Sequence, residues 1–118
     1  MSIFATDGVG SVLHRALNGI TFRQNVIADN IANVDTPNFR ARSVDFESSL
    51  RSAIDNGGVG ADEITVDVAM TQTPVGTNGN NVDLRKESMA AMQTVFQYQT
   101  VTRAVSDRLG LVRTAAGA

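Results

Sequence analysis

The sequence predicts a mainly α-helical protein in which two long helices, one toward each end, pair as a coiled coil. Three observations carry that expectation. Leu13, Ile20, Ile27 and Val34 recur every seven positions, with Leu17, Gln24 and Ile31 as a second track beside them. Leu84, Ala91, Tyr98, Val105 and Val112 repeat the same spacing later, beside Ser88, Val95, Thr102 and Leu109. Between the two stretches lies loose chain, with five of the ten glycines between residues 57 and 80.

The elements follow in order. A helix is expected over 9–34, with Leu13, Leu17, Ile20, Ile27 and Ile31 as its packing residues. Gly19 inside it costs roughly 1 kcal/mol against alanine and permits close approach of another helix. A corner and a short helix are expected over 35–56. Asp35-Thr36-Pro37 is turn chemistry, because proline fixes its own φ and pushes the preceding residue out of the helical region. Asn38 follows, and asparagine tolerates positive φ better than most residues. Phe39 supplies an apolar anchor between Arg40 and the preceding turn. Phe46, Leu50 and Ile54 then fall at helical spacing until Asn56-Gly57-Gly58 stops the pattern. Residues 57–80 read as an exposed loop with a weak strand signal from Ile64 to Met70. The last helix is expected over 83–113, capped by Asp83 or Asn81, with Leu84, Met92, Val95, Tyr98, Val105 and Leu109 packing and Gly110 as a weak point.

Composition narrows the function. The chain has 118 residues, enough for one domain at most. It has no cysteine and a single histidine, His14, which leaves no disulfide framework, thiolate site or cysteine nucleophile. A net charge of −2 argues against nucleic-acid binding. Charge is uneven: residues 44–80 carry one arginine against six acids, hence −5, while the flanking stretches are weakly positive. Gly8-Val9-Gly10 begins like a dinucleotide fingerprint, but Leu13 stands at its sixth position and no strand precedes it. No cofactor, metal or catalytic residue is expected. The start lacks a basic stretch followed by an apolar run, so no cleaved signal peptide is expected. No segment reaches the roughly 20 apolar residues of a membrane span, so no membrane insertion is expected.

The late helix carries a further message. Between Ser88 and Ser106 its one charged residue is Arg103. An ordinary exposed helix is charged for solubility, and glutamines and threonines make this one too polar for lipid. A helix covered on several sides by other protein satisfies both constraints. Two helices alone leave most of their surface wet, so the free chain is expected to fold poorly and to gain order in an assembly with open, repeating contacts.

Residues 28–42, ADNIANVDTPNFRAR, resemble the signature of the flagellar axial proteins, the rod, hook and junction subunits. That signature runs Ala-Asn-Asn, an aliphatic residue, Ala-Asn, two variable positions, Thr-Pro-Gly, an aromatic and a basic or amide residue. Asp29 and Asn38 depart from it, standing where the family often has Asn and Gly. The resemblance implies that 1–118 form one rod-type domain, with Asn30, Ile31, Ala32, Asn33, Thr36, Pro37, Asn38, Phe39 and Arg40 as an assembly motif. The short middle leaves no room for the outer domains of hook or distal rod subunits, which points to the proximal rod. The late stretch AAMQTVFQYQTVTRAVSDRLGLVRTA is similar to one of two neighbouring proximal rod subunits, with the other as the alternative.

The family reading implies a structural subunit that assembles helically and transmits torque. Its implied partners are other copies of itself, other rod subunits, and the ring-adjacent adaptor and export-gate proteins of the basal body. It would be exported through the flagellar type III apparatus into the periplasmic space. The alternative function class is a free-standing coiled-coil adaptor, which would form a discrete helical oligomer in solution.

Overall fold

The computed structural model describes residues 7–56 and 66–117, with side chains from residue 9 onward. It is mainly helical: α1 (Asp7–Ala32), β1 (Arg42–Asp45), α2 (Glu47–Asp55), β2 (Asp67–Met70) and α3 (Leu84–Ala115). The long helices α1 and α3 pack against each other. β1 and β2 form an antiparallel pair in which Val44 meets Val68 and Arg42 meets Met70. The molecule is elongated, 63 × 25 × 15 Å, with a radius of gyration of 17.8 Å. A compact chain of this length would have about 13–14 Å.

α1 starts and stops two residues before the expected 9–34. It stops because Asn33 turns back on it: its N–H donates to the carbonyls of both Asp29 (3.1 Å) and Asn30 (3.2 Å), and its Nδ2 donates to Asp29 O (2.8 Å). α2 begins where Asp45 accepts from the Ser48 amide (3.2 Å) and hydroxyl (2.9 Å). α3 is capped by Asp83, which accepts from the amides of Arg85 (3.0 Å) and Lys86 (3.3 Å). It runs through Gly110 without a break and closes beyond Ala115 at Gly117, whose φ of 77° accommodates the end. The expected loop 57–80 contains β2 and a turn over 76–80; its first part, 57–65, lies outside the described residues.

The core sits at the middle of α1. Ile20, Val26, Val44 and Phe46 are buried together, with Leu50 and Val101 packed against them. Gly19 does serve a close approach, but of a ring rather than a helix. A β-carbon there would stand 2.5 Å from Cγ of Phe46. Phe46, 3% exposed, is thus the buried aromatic anchor, while Phe39 is only half-buried.

The seam of α3 differs from the one expected. The residues turned inward are Glu87, Ala90, Thr94, Gln97, Val101, Ala104 and Arg108, alternating steps of three and four. Val105 is half-buried beside them. Leu84, Met92, Val95, Tyr98 and Leu109, expected to pack on α1, keep 48, 63, 45, 50 and 59% of their surface exposed. On α1, Ile20 and Ile27 are buried, Leu13 and Leu17 half-buried, and Ile31 is 36% exposed. The seven-residue spacing holds, and Ala91, Val105 and Val112 of the first expected track are half-buried, while its largest members, Leu84 and Tyr98, are turned outward. Alanine, threonine and polar side chains dominate the seam, and several large apolar ones are turned outward.

Candidate assembly site

The corner between α1 and β1 is densely hydrogen-bonded, and three buried asparagines hold it. Asn30 is fully buried, at 0% exposure. Its Nδ2 donates to the carbonyl of Arg42 (2.8 Å), and the Arg42 N–H donates back to Oδ1 (3.1 Å). One side chain thereby pairs with a strand residue as a neighbouring strand would. No apolar residue could satisfy both backbone groups, which explains an asparagine in a buried position.

Asn80 and Asn81 arrive from the far side of the sequence. Asn80 Nδ2 donates to the carbonyls of Asn33 and Thr36, each at 2.8 Å. Asn81 Oδ1 accepts from the Ala41 N–H (2.6 Å), and its own N–H donates to Phe39 O (3.2 Å). Its Nδ2 reaches the carbonyls of Thr71 (3.3 Å) and Thr73 (3.2 Å). The corner, the chain after β2 and the approach to α3 are therefore one hydrogen-bonded unit.

Asn38 adopts φ 63°, the one positive φ among described non-glycine residues. Its N–H donates to Asn78 O (2.9 Å), and Gly79, at φ 78°, lies against its side chain. Thr36 donates its hydroxyl to Asn33 Oδ1 (3.0 Å). Outward, Ile31, Ala32, Thr36, Pro37, Asn38 and Arg40 are all exposed. The motif is thus divided: Asn30 and Asn33 hold the corner together, and its other residues, Phe39 in part, form its outer surface.

A second locking point, Arg23, lies about two helical turns before Asn30. Arg23 donates from Nη1 to Glu47 Oε2 (2.8 Å) and Gln97 Oε1 (3.1 Å), and from Nη2 to Val44 O (2.7 Å) and Glu47 Oε1. Its guanidinium lies 4.8 Å from the Phe46 ring centroid. One side chain thus ties α1 to β1, α2 and α3. The guanidinium hydrogen bonds hold the Glu47 carboxyl below its usual range. The Ser48 hydroxyl, then its amide, lowers the Asp45 carboxyl in the same way. Arg42 pairs with Asp29 at 2.6 Å on the surface, and Arg40 is exposed beside it.

Sequence reasoning missed Asn80, Asn81 and Arg23 as parts of this site. Asn80-Asn81 looked like turn chemistry, and their partners 40 to 47 residues away leave no local trace. Among the described residues, no group of three or more His, Asp or Glu could hold a metal, and no helix is long and apolar enough to cross a membrane. The side chains of the corner bond chiefly to backbone groups, so the arrangement positions chain.

A family described as "Flagella basal body rod protein" matches residues 12–40, the span from α1 to the outer edge of the corner. The chain is 34% identical over 125 residues to the flagellar basal body rod protein FlgB of Bacillus subtilis strain 168, covering 97% of this chain and 95% of that protein. The chain belongs to the flagellar basal body rod protein family. FlgB of Borreliella burgdorferi is 33% identical over 113 residues, covering 75% of this rod protein and 81% of its own length. FlgB of Escherichia coli K12 is 31% identical over 113 residues, with 80 and 82% covered. Of the two proximal rod readings raised by the sequence, these relatives support FlgB over its neighbour FlgC. The rod protein is accordingly a structural component of the flagellar basal body.

Proposed function

We propose that this rod protein is an FlgB-like building block of the proximal rod, assembling helically with copies of itself and other rod subunits to transmit torque. The observation that carries this reading is full-length similarity to FlgB proteins, joined to a fold whose large apolar residues face outward. In a monomer such a surface is unfavourable; in a rod it is covered. The corner motif, Asn30 to Arg40, is the rigid feature that fixes how each copy meets its neighbours. Ring-adjacent adaptor and export-gate proteins are the partners at the base of the rod. The protein reaches the periplasmic space through the flagellar type III apparatus and acts there as a structural part. The free-standing adaptor reading accounts for the paired helices but not for similarity along nearly the whole chain.

The test is genetic and structural together. Deleting the chain from its flagellated host should abolish swimming and leave basal bodies without a rod, and restoring it should recover both. A swimming deletion strain would refute the reading.

A further inference from the structure

Two opposed features of the surface fit one another. The first is a groove beside the α1–α3 seam, of about 280 Å³, lined by Ile20, Thr21, Gln24, Asn25, Val95 and Tyr98. It is largely apolar. The second feature is the ridge Met89, Met92 and Phe96 on α3, exposed by 58, 63 and 65%. At 3.6 residues per turn, Phe96 lies about 200° around α3 from Thr94, which faces α1. The ridge is therefore on the back of the helix whose flank forms the groove.

Both features are free of charge. The groove's neighbouring cation, Arg23, is spent on Glu47, Val44 and Gln97 inside the chain. No charged residue lies on α3 between Ser88 and Arg103. A partner selected by charge is therefore not what either surface is built for. Their spacings match: Met92 and Phe96 are four apart, as are Thr21 and Asn25, the geometry in which i±4 ridges of one helix enter the i±4 groove of another. Gln93 and Gln99 flank the ridge with polar but uncharged side chains.

We infer that the groove receives the Met92–Phe96 ridge of a second copy of this chain. Ridge and groove lie on different faces, so the contact is head-to-tail and each copy keeps one of each free, as an open helical assembly requires. This inference rests on the rod reading and names the contact that reading leaves open.

The chain has no cysteine of its own, so introduced pairs report the contact cleanly. The full chain carrying Thr21→Cys and Phe96→Cys replaces the wild-type copy in its flagellated host, and isolated basal bodies are oxidised. The expected result is a ladder of covalent oligomers at multiples of 12.5 kDa. Neither single variant, nor the pair Thr21→Cys with Arg51→Cys, should give one. Absence of the ladder in cells that swim overturns the contact and leaves the rod reading standing, and so does an equal ladder from the control pair. If the double variant does not swim, sedimentation of the purified chain decides. Phe96→Glu should weaken self-association by about ten-fold or more and Phe96→Leu should retain it; equal behaviour of the two overturns the contact. The rod reading fails separately, by a host that swims without this chain.

Discussion

At the scale of single residues, the corner is held by backbone groups that only particular side chains can satisfy. Asn30 is the clearest case. Asn30→Ala leaves the Arg42 N–H and carbonyl without their partner, at a cost of about 2–4 kcal/mol for two buried groups. Thermal unfolding followed by circular dichroism should show that loss, and an Asn30→Ala chain as stable as wild type would refute the role. Asn38, at φ 63°, makes an opposite pair of predictions. Asn38→Gly should be nearly neutral, because glycine enters the left-handed region freely. Asn38→Val should cost about 1–3 kcal/mol, since a β-branched residue is strained there. The same melting experiment separates them. Acidity enters through Glu47 and Asp45, whose carboxyls are lowered by hydrogen bonds made in the folded chain. A lowered carboxyl stabilises the fold at any pH above its unfolded value, near 4.5 for Glu47 and 3.8 for Asp45. That stabilisation is lost as pH falls through the lowered folded values. The melting temperature should therefore decline below about pH 4.5, and Glu47→Gln should be less stable than wild type at pH 7 and flatten the decline.

At the scale of elements, the fit between α1 and the chain after the corner depends on one absent methyl group. Gly19→Ala would gain up to about 1 kcal/mol of helix propensity, yet its β-carbon would strike the Phe46 ring. The collision should dominate, for a net loss of about 1–3 kcal/mol. Phe46→Leu should recover part of that loss in a double-mutant cycle, and additive effects would rule out the contact. The elements also show where sequence reading succeeds. The helices were legible because seven-residue spacing survives whichever face is inward. The left-handed turn was legible because Pro37 and Asn38 are local chemistry. β1 was not, because its four residues bury only Val44 and give no alternation to detect. The seam of α3 was misread because size normally marks the inside, and here Thr94 and Ala90 face the partner helix while Met92 and Phe96 face out. The contribution of Asn80 and Asn81 was invisible because the carbonyls they serve are distant in sequence.

At the scale of the whole molecule, little apolar surface is buried between α1 and α3, and much is left for neighbours. Helicity should therefore rise with self-association: a concentration series by circular dichroism and sedimentation should show both increasing together. A chain fully helical while still monomeric would contradict that coupling. The bonds from Asn80 to the carbonyls of Asn33 and Thr36 span 47 and 44 residues. Together with Asn81 they make the corner a test of completeness. In a chain threaded through a narrow conduit, each backbone bond of α1 or α3 would have its partner within four residues. The corner can close only when residues 30–42 and 71–82 have both cleared the passage. Whichever end leads, a copy halted before that point lacks the joint that ties its two halves together.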